Sequence, residues 1–116
     1  DNVLRLMRKP PFKQFHQFKK IFDSINSRYN LKQQIIPYFI SSHPGSTIEC
    51  MAELAAETKQ LNFHLEQVQD LTPTPMTLSS VMFYTGENPY TGERVYVARS
   101  QDDKRKQKQY FFKKNQ

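Results

Sequence analysis

His43 is the residue of this sequence best placed for chemistry. It stands in Ser41-Ser42-His43-Pro44-Gly45-Ser46, between an apolar run and a helix-start signal. In parallel α/β folds, ligands bind where a strand ends and the next helix begins. The free N–H groups of a helix N-terminus also suit anions. Ser41, Ser42, His43 and Gly45 would face such a ligand. Gln69, Asp70 and Thr72 end a second apolar stretch and would share that edge if the two strands run parallel. The other candidates are weaker. His16 lies beside a Phe-rich helix face and His64 at a strand start, and the three histidines show no metal spacing. A single cysteine, Cys50, forms no internal disulfide and builds no zinc or iron–sulfur site by itself.

These residues need elements to hold them. Residues 34–40 (QIIPYFI) read as a buried strand, although Pro37 cannot donate to a ladder. His43-Pro44-Gly45 is a turn. Ser46 followed by Glu49 reads as a capping box, which starts a helix at Thr47 with Ile48, Met51, Ala52, Ala55 and Leu61 on its apolar face. Residues 63–71 (FHLEQVQDL) alternate imperfectly and read as a second strand. Strand, helix, strand is a βαβ unit, and the crossover is long enough for parallel pairing.

Ahead of it, Phe12, Phe15, Phe18, Phe22, Ile25 and Tyr29 recur at spacings of three or four, one apolar stripe of a helix over 12–29 that follows Pro10-Pro11. Val3–Arg8 reads as a shorter helical turn. Behind it, Thr72-Pro73-Thr74-Pro75 stops regular structure. Met76–Tyr84 reads as a short helix and Arg94–Arg99 as a short strand. Thr85-Gly86-Glu87 and Thr91-Gly92-Glu93 read as two turns. Ser100 with Asp103 signals a last helix.

Composition bounds the rest. The chain has 116 residues, enough for one domain or a piece of a larger one. Aromatics reach 13 %, so a small core is possible and wholesale disorder is not expected. No apolar run approaches a membrane span. With one cysteine and no signal-type start, a reducing cytoplasm is the expected compartment. The net charge of +6 is uneven. Residues 1–32 carry eight basic and two acidic side chains, 33–93 carry one and seven, and 94–116 carry eight and two. Solvated helix surface explains this pattern. Basic ends meeting on one face would suit nucleic acid, and Tyr110, Phe111 and Phe112 in the basic tail would suit single strands.

The ordered stretches 33–45 (QQIIPYFISSHPG) and 65–77 (LEQVQDLTPTPMT), with 3–10 (VLRLMRKP) and 84–90 (YTGENPY), resemble the YgiQ-type family of radical SAM proteins. The resemblance covers nearly the whole chain. It implies an α/β fold: residues 1–75 as the C-terminal part of a partial (β/α) barrel, and 76–116 as the start of a small α-rich C-terminal domain of unknown function. It implies a [4Fe–4S] cluster and S-adenosylmethionine in the full-length parent. Ser42, His43 and Gly45 would approach the cofactor, with Gln69 and Thr72 beside them. The family's three cluster cysteines, in a CxxxCxxC loop, have no counterpart among these residues. The chain therefore reads as a fragment, inactive by itself, of a probable radical SAM enzyme.

Such a fragment would lack the N-terminal part of its own barrel. Bare strand edges invite self-association, unless Arg94–Arg99 adds a third strand. The rival reading is a basic RNA-binding or protein-interaction module without catalysis. The resemblance accounts for particular residues in order, whereas the rival accounts only for composition.

Overall fold

A computed structural model describes residues 1–63 and 67–112. Its elements are α1 (Asn2–Leu6), α2 (Lys13–Arg28), β1 (Phe39–Ser41), α3 (Ile48–Gln60), β2 (Val68–Asp70), α4 (Leu78–Thr85) and α5 (Gln101–Phe112). The fold is α/β, with a two-stranded parallel sheet and helices around it, and the last segment is helical as expected.

β1 and β2 pair in parallel, Phe39 with Val68, Ile40 with Gln69 and Ser41 with Asp70, and α3 makes the crossover. The βαβ unit therefore forms, but its strands are shorter than the apolar runs suggest. Residues 34–38 are not strand, and Ile36 and Tyr38 are exposed. Pro37 has no N–H to give, so regular pairing begins only beyond it. β1 instead runs on to Ser41. Phe63 is not strand, and His64, Leu65 and Glu66 lie outside the described residues.

α3 is capped by Thr47, whose hydroxyl accepts from the Cys50 N–H at 3.3 Å. The Ser46–Glu49 box does not form, because the Ser46 hydroxyl is engaged elsewhere. The second box does form: Ser100 Oγ accepts from the Asp103 N–H at 3.1 Å and donates to the Asp103 carboxylate at 2.7 Å, which starts α5. The Thr-Gly-Glu echo is two side-chain turns, with Thr85 and Thr91 hydroxyls each accepting from the Glu N–H two residues on. Gly86 and Gly92 both take φ of 71° there.

Arg94–Arg99 is not a third strand. Its residues bond to loops: Val95 N–H to the Gly86 carbonyl at 2.8 Å, and the Tyr96 carbonyl from Gly45 N–H at 2.7 Å. Val95 and Ala98 point inward instead. A small core of Leu6, Met82 and Val95, with Leu78 against it, ties α1 to α4 and to this segment.

α5 runs antiparallel to the strands. Gln107 meets the loop after β1, whereas Phe111, one turn later, stacks on Phe39 at 5.7 Å between ring centres. α2 forms nearly as expected, yet buries none of its residues. It touches the rest through Phe15 on Phe63, 5.7 Å between centres, through Lys19 over the same ring, and through His16, 3.9 Å from Glu57 of α3.

Candidate functional site

The loop from Ser41 to Ser46 connects β1 to α3, and every residue in it is buried. Two of them hold unusual backbone angles: Ser42 at φ 61° and Gly45 at φ 84°. At Gly45 a side chain is also sterically barred, since a Cβ would lie 2.3 Å from Leu6 Cδ1. The loop is thus a tight, closely packed turn in which glycine has a physical reason.

Its polar groups are nearly all spoken for. Ser41 Oγ donates to the Asp70 carboxylate at 2.5 Å, across the ends of the two strands. Lys108 of α5 reaches the same carboxylate at 3.0 Å. Ser42 N–H donates to Gln107 Oε1 at 3.0 Å, and Ser46 Oγ donates to that oxygen at 3.1 Å. Gln107 Nε2 returns a bond to the Ser46 carbonyl at 2.7 Å. This network fixes which end of the amide is oxygen. Gly45 N–H goes to the Tyr96 carbonyl and Ser46 N–H to the His43 carbonyl. Among the described residues, the Ser42 hydroxyl is the one buried side-chain polar atom without a partner.

His43 is 2 % exposed. Its Nδ1 lies 2.8 Å from the Pro44 carbonyl and its Nε2 2.7 Å from Ser79 Oγ. A carbonyl only accepts, so Nδ1 carries the proton and Nε2 accepts from the Ser79 hydroxyl. Burial pushes the imidazole pKa below its usual 6.5, the Pro44 bond works against this, and the Lys9 charge adds to the lowering. A neutral ring with both nitrogens occupied is arranged as a structural joint.

Of the five residues expected to meet a cofactor, Ser42, His43 and Gly45 are gathered in this buried loop. Gln69 and Thr72 are exposed. Gln69 Oε1 accepts from the Tyr38 hydroxyl. The two strand ends do lie side by side, with Leu71 N–H bonded to the Ser41 carbonyl at 2.9 Å.

The residues that engage the loop from outside, Ser79, Tyr96 and Gln107, are not apparent in the sequence. Gln107 sits within Lys-Arg-Lys-Gln-Lys-Gln, a run that reads as solvated surface. Its one trace is spacing, three residues after Lys104 and four before Phe111, on a single helix face.

The buried loop is closed to both groups that the resemblance implies. Among the described residues no three of His, Cys, Asp and Glu cluster to hold a metal. Cys50 stands singly on α3. The loop N–H groups of Ser42 and Gly45, which would serve a ribose or carboxylate, are bonded within the chain. Among the described residues, no helix is long and apolar enough to cross a membrane.

Comparison with known proteins bears on what this arrangement belongs to. The chain is 62 % identical over 112 residues to a UPF0313 protein of Bacteroides thetaiotaomicron, covering 97 % of this chain and 18 % of that protein. It is 60 % identical, with the same coverage, to one from Porphyromonas gingivalis. A third, from Methanocella arvoryzae, is 46 % identical over 90 % of this chain and 17 % of its own length. Over nearly all of its length this chain is similar to a segment of UPF0313 proteins.

It spans under a fifth of the length of these UPF0313 relatives. Residues 66–115 match a family described as a domain of unknown function, DUF3362. That match begins ahead of Met76 and takes in β2, α4 and α5. Every outside residue that holds the loop through a hydrogen bond to His43, Gly45, Ser46 or the Ser42 N–H therefore falls within the matched domain, whereas the loop itself precedes it. No solved structure matches.

Proposed function

We propose that this chain is the late wall of a radical SAM (β/α) barrel together with the domain that follows it, in a longer protein whose other residues hold a [4Fe–4S] cluster and S-adenosylmethionine. The observation that supports this most is the parallel register of β1 and β2, with their terminal loops side by side at the carboxyl edge where barrel enzymes bind ligands. The ordered resemblance supports it, and the UPF0313 relatives are long enough to hold the rest of such a barrel. In this role the chain supplies walls and loop geometry rather than redox chemistry. Gln69 and Thr72 are the edge positions open to the cofactor. Ser42, His43 and Gly45 shape the wall behind them.

The partner of this chain is then the earlier part of the same polypeptide. Its docking surface is the aromatic side of α2 and the adjoining groove of about 190 Å³, lined by Phe12, Phe15, Tyr38, Phe39, Leu54 and Phe63.

The test uses the full-length protein, purified without oxygen and supplied with iron and sulfide. The expected results are the paramagnetic signal of a reduced [4Fe–4S] cluster and formation of 5′-deoxyadenosine from S-adenosylmethionine. A protein that assembles no cluster and leaves S-adenosylmethionine intact would overturn the proposal.

A further inference from the structure

The contacts of the 41–46 loop have an unusual distribution. Ser41 bonds to the end of β2, whereas residues 42–46 draw their outside partners from three places beyond it: Ser79 in α4, the Tyr96 carbonyl in the connector and Gln107 in α5. One side chain, Gln107, makes three of these bonds while being fully buried itself. Its amide accepts from two loop donors and donates to one loop carbonyl, as a bound polar ligand would.

We propose that the 76–112 segment works as a fitted cover over the 41–46 loop, seated by Gln107, and that it opens as a unit while the βαβ base stays folded. The part of the matched domain beyond β2 then has a defined role, which is to control access to the carboxyl-edge loop. The inference holds whether or not the longer protein binds S-adenosylmethionine.

Three features support a cover over simple core packing. The contact with the loop itself is polar, as in interfaces between separable units, while Met82 and Val95 pack on Leu6 and Phe111 on Phe39 at its margins. Its bonds are interdependent, because displacing Gln107 leaves Ser42 N–H, the Ser46 hydroxyl and the Ser46 carbonyl unpartnered together. The base has its own bonds, with β1 paired to β2 and α3 capped by Thr47, none of which involves residues 76–112.

The experiment is amide hydrogen exchange on the 116-residue chain, followed residue by residue by NMR. Gln107→Leu keeps the shape and removes all three bonds. The cover predicts that exchange quickens about tenfold or more at Ser42 and also at Gly45, whose own bond to Tyr96 the substitution does not touch. Amides at the end of α3, such as Leu61 bonded to the Glu57 carbonyl at 2.9 Å, should keep their rate.

Gln107→Glu supplies a second arm that survives if the leucine variant fails to fold. A neutral carboxylic acid can accept and donate like the amide, and a carboxylate cannot donate. Protection at Ser42 and Gly45 should return as the pH falls through the Glu titration, measured against the wild-type chain at each pH. That normalisation cancels the nearby His43, Asp70 and Lys108. Change at Ser42 alone would reduce Gln107 to a local bond. Equal change at Leu61 would make the segment part of one cooperative fold. Glu protection that ignores pH would also overturn the proposal.

Discussion

The loop after β1 and the face of α2 invert the usual rule of burial. The loop is built of Ser41, Ser42, His43 and Ser46, and all four are buried. α2 carries a stripe of phenylalanines and none of its residues is buried; Phe18 is 54 % exposed and Ile25 48 %. Side-chain type alone does not decide which region is covered. The loop meets hydrogen-bond partners supplied by the same chain, which makes polar burial tolerable. The helix has an apolar stripe and nothing in the described residues wide enough to cover it. A buried polar loop beside an exposed apolar helix face is the opposite of what an isolated small domain usually presents.

That contrast can be broken most forcefully at Gly45. Gly45→Val should cost about 3 kcal/mol or more, from overpacking against Leu6 and from a β-branched residue forced to positive φ. Urea unfolding read by circular dichroism measures it. A near-neutral result would show that the loop is not the tight turn described. His43→Ala should come next, with about 2 kcal/mol lost, because it strands the buried Pro44 carbonyl and the half-buried Ser79 hydroxyl. The same assay suffices, and its Ser79→Ala counterpart should lose less.

A pH series sharpens the loop side further. Because burial holds the folded His43 pKa below the unfolded value near 6.5, its contribution is present above pH 6.5 and is lost as the pH falls from there. Wild-type stability should therefore drop more steeply from about pH 7 to about pH 5.5 than that of His43→Gln. Parallel profiles would mean that the ring is not held neutral. The smallest change is expected on the other side of the comparison. Phe18→Ser on α2 should shift stability by no more than about 0.5 kcal/mol, while reducing concentration-dependent association in analytical ultracentrifugation. A large stability loss there would mean that α2 is anchored more firmly than its exposure indicates.

Local signals were readable where a residue acts on its own neighbourhood. The Ser100–Asp103 cap, the α2 stripe and the two Thr-Gly-Glu turns are of this kind. So was the parallel pairing, since a crossover of that length with a capped helix leaves few other arrangements. Strand ends were less readable. Pro37 shortened β1 as its missing N–H suggests, but nothing local indicates that Ser41 continues the strand. The α3 cap moved from Ser46 to Thr47 because a distant amide claims the Ser46 hydroxyl. His43 stands out in the sequence as the special residue of its turn, but its neighbours in space do not. Gln107 lies 61 positions from Ser46 in a basic run, and no periodicity links the two.

The 65 positions between Ser42 and Gln107 also bear on biosynthesis. A ribosome adding roughly 5–20 residues per second leaves the serine-histidine turn without its glutamine for roughly 3–13 s after it is made. During that interval the nascent polypeptide leaves these amide and hydroxyl groups to water, because α5 has not yet been made. Truncation just short of that helix would make this transient state permanent, and such chains should be the ones that proteases and chaperones find first.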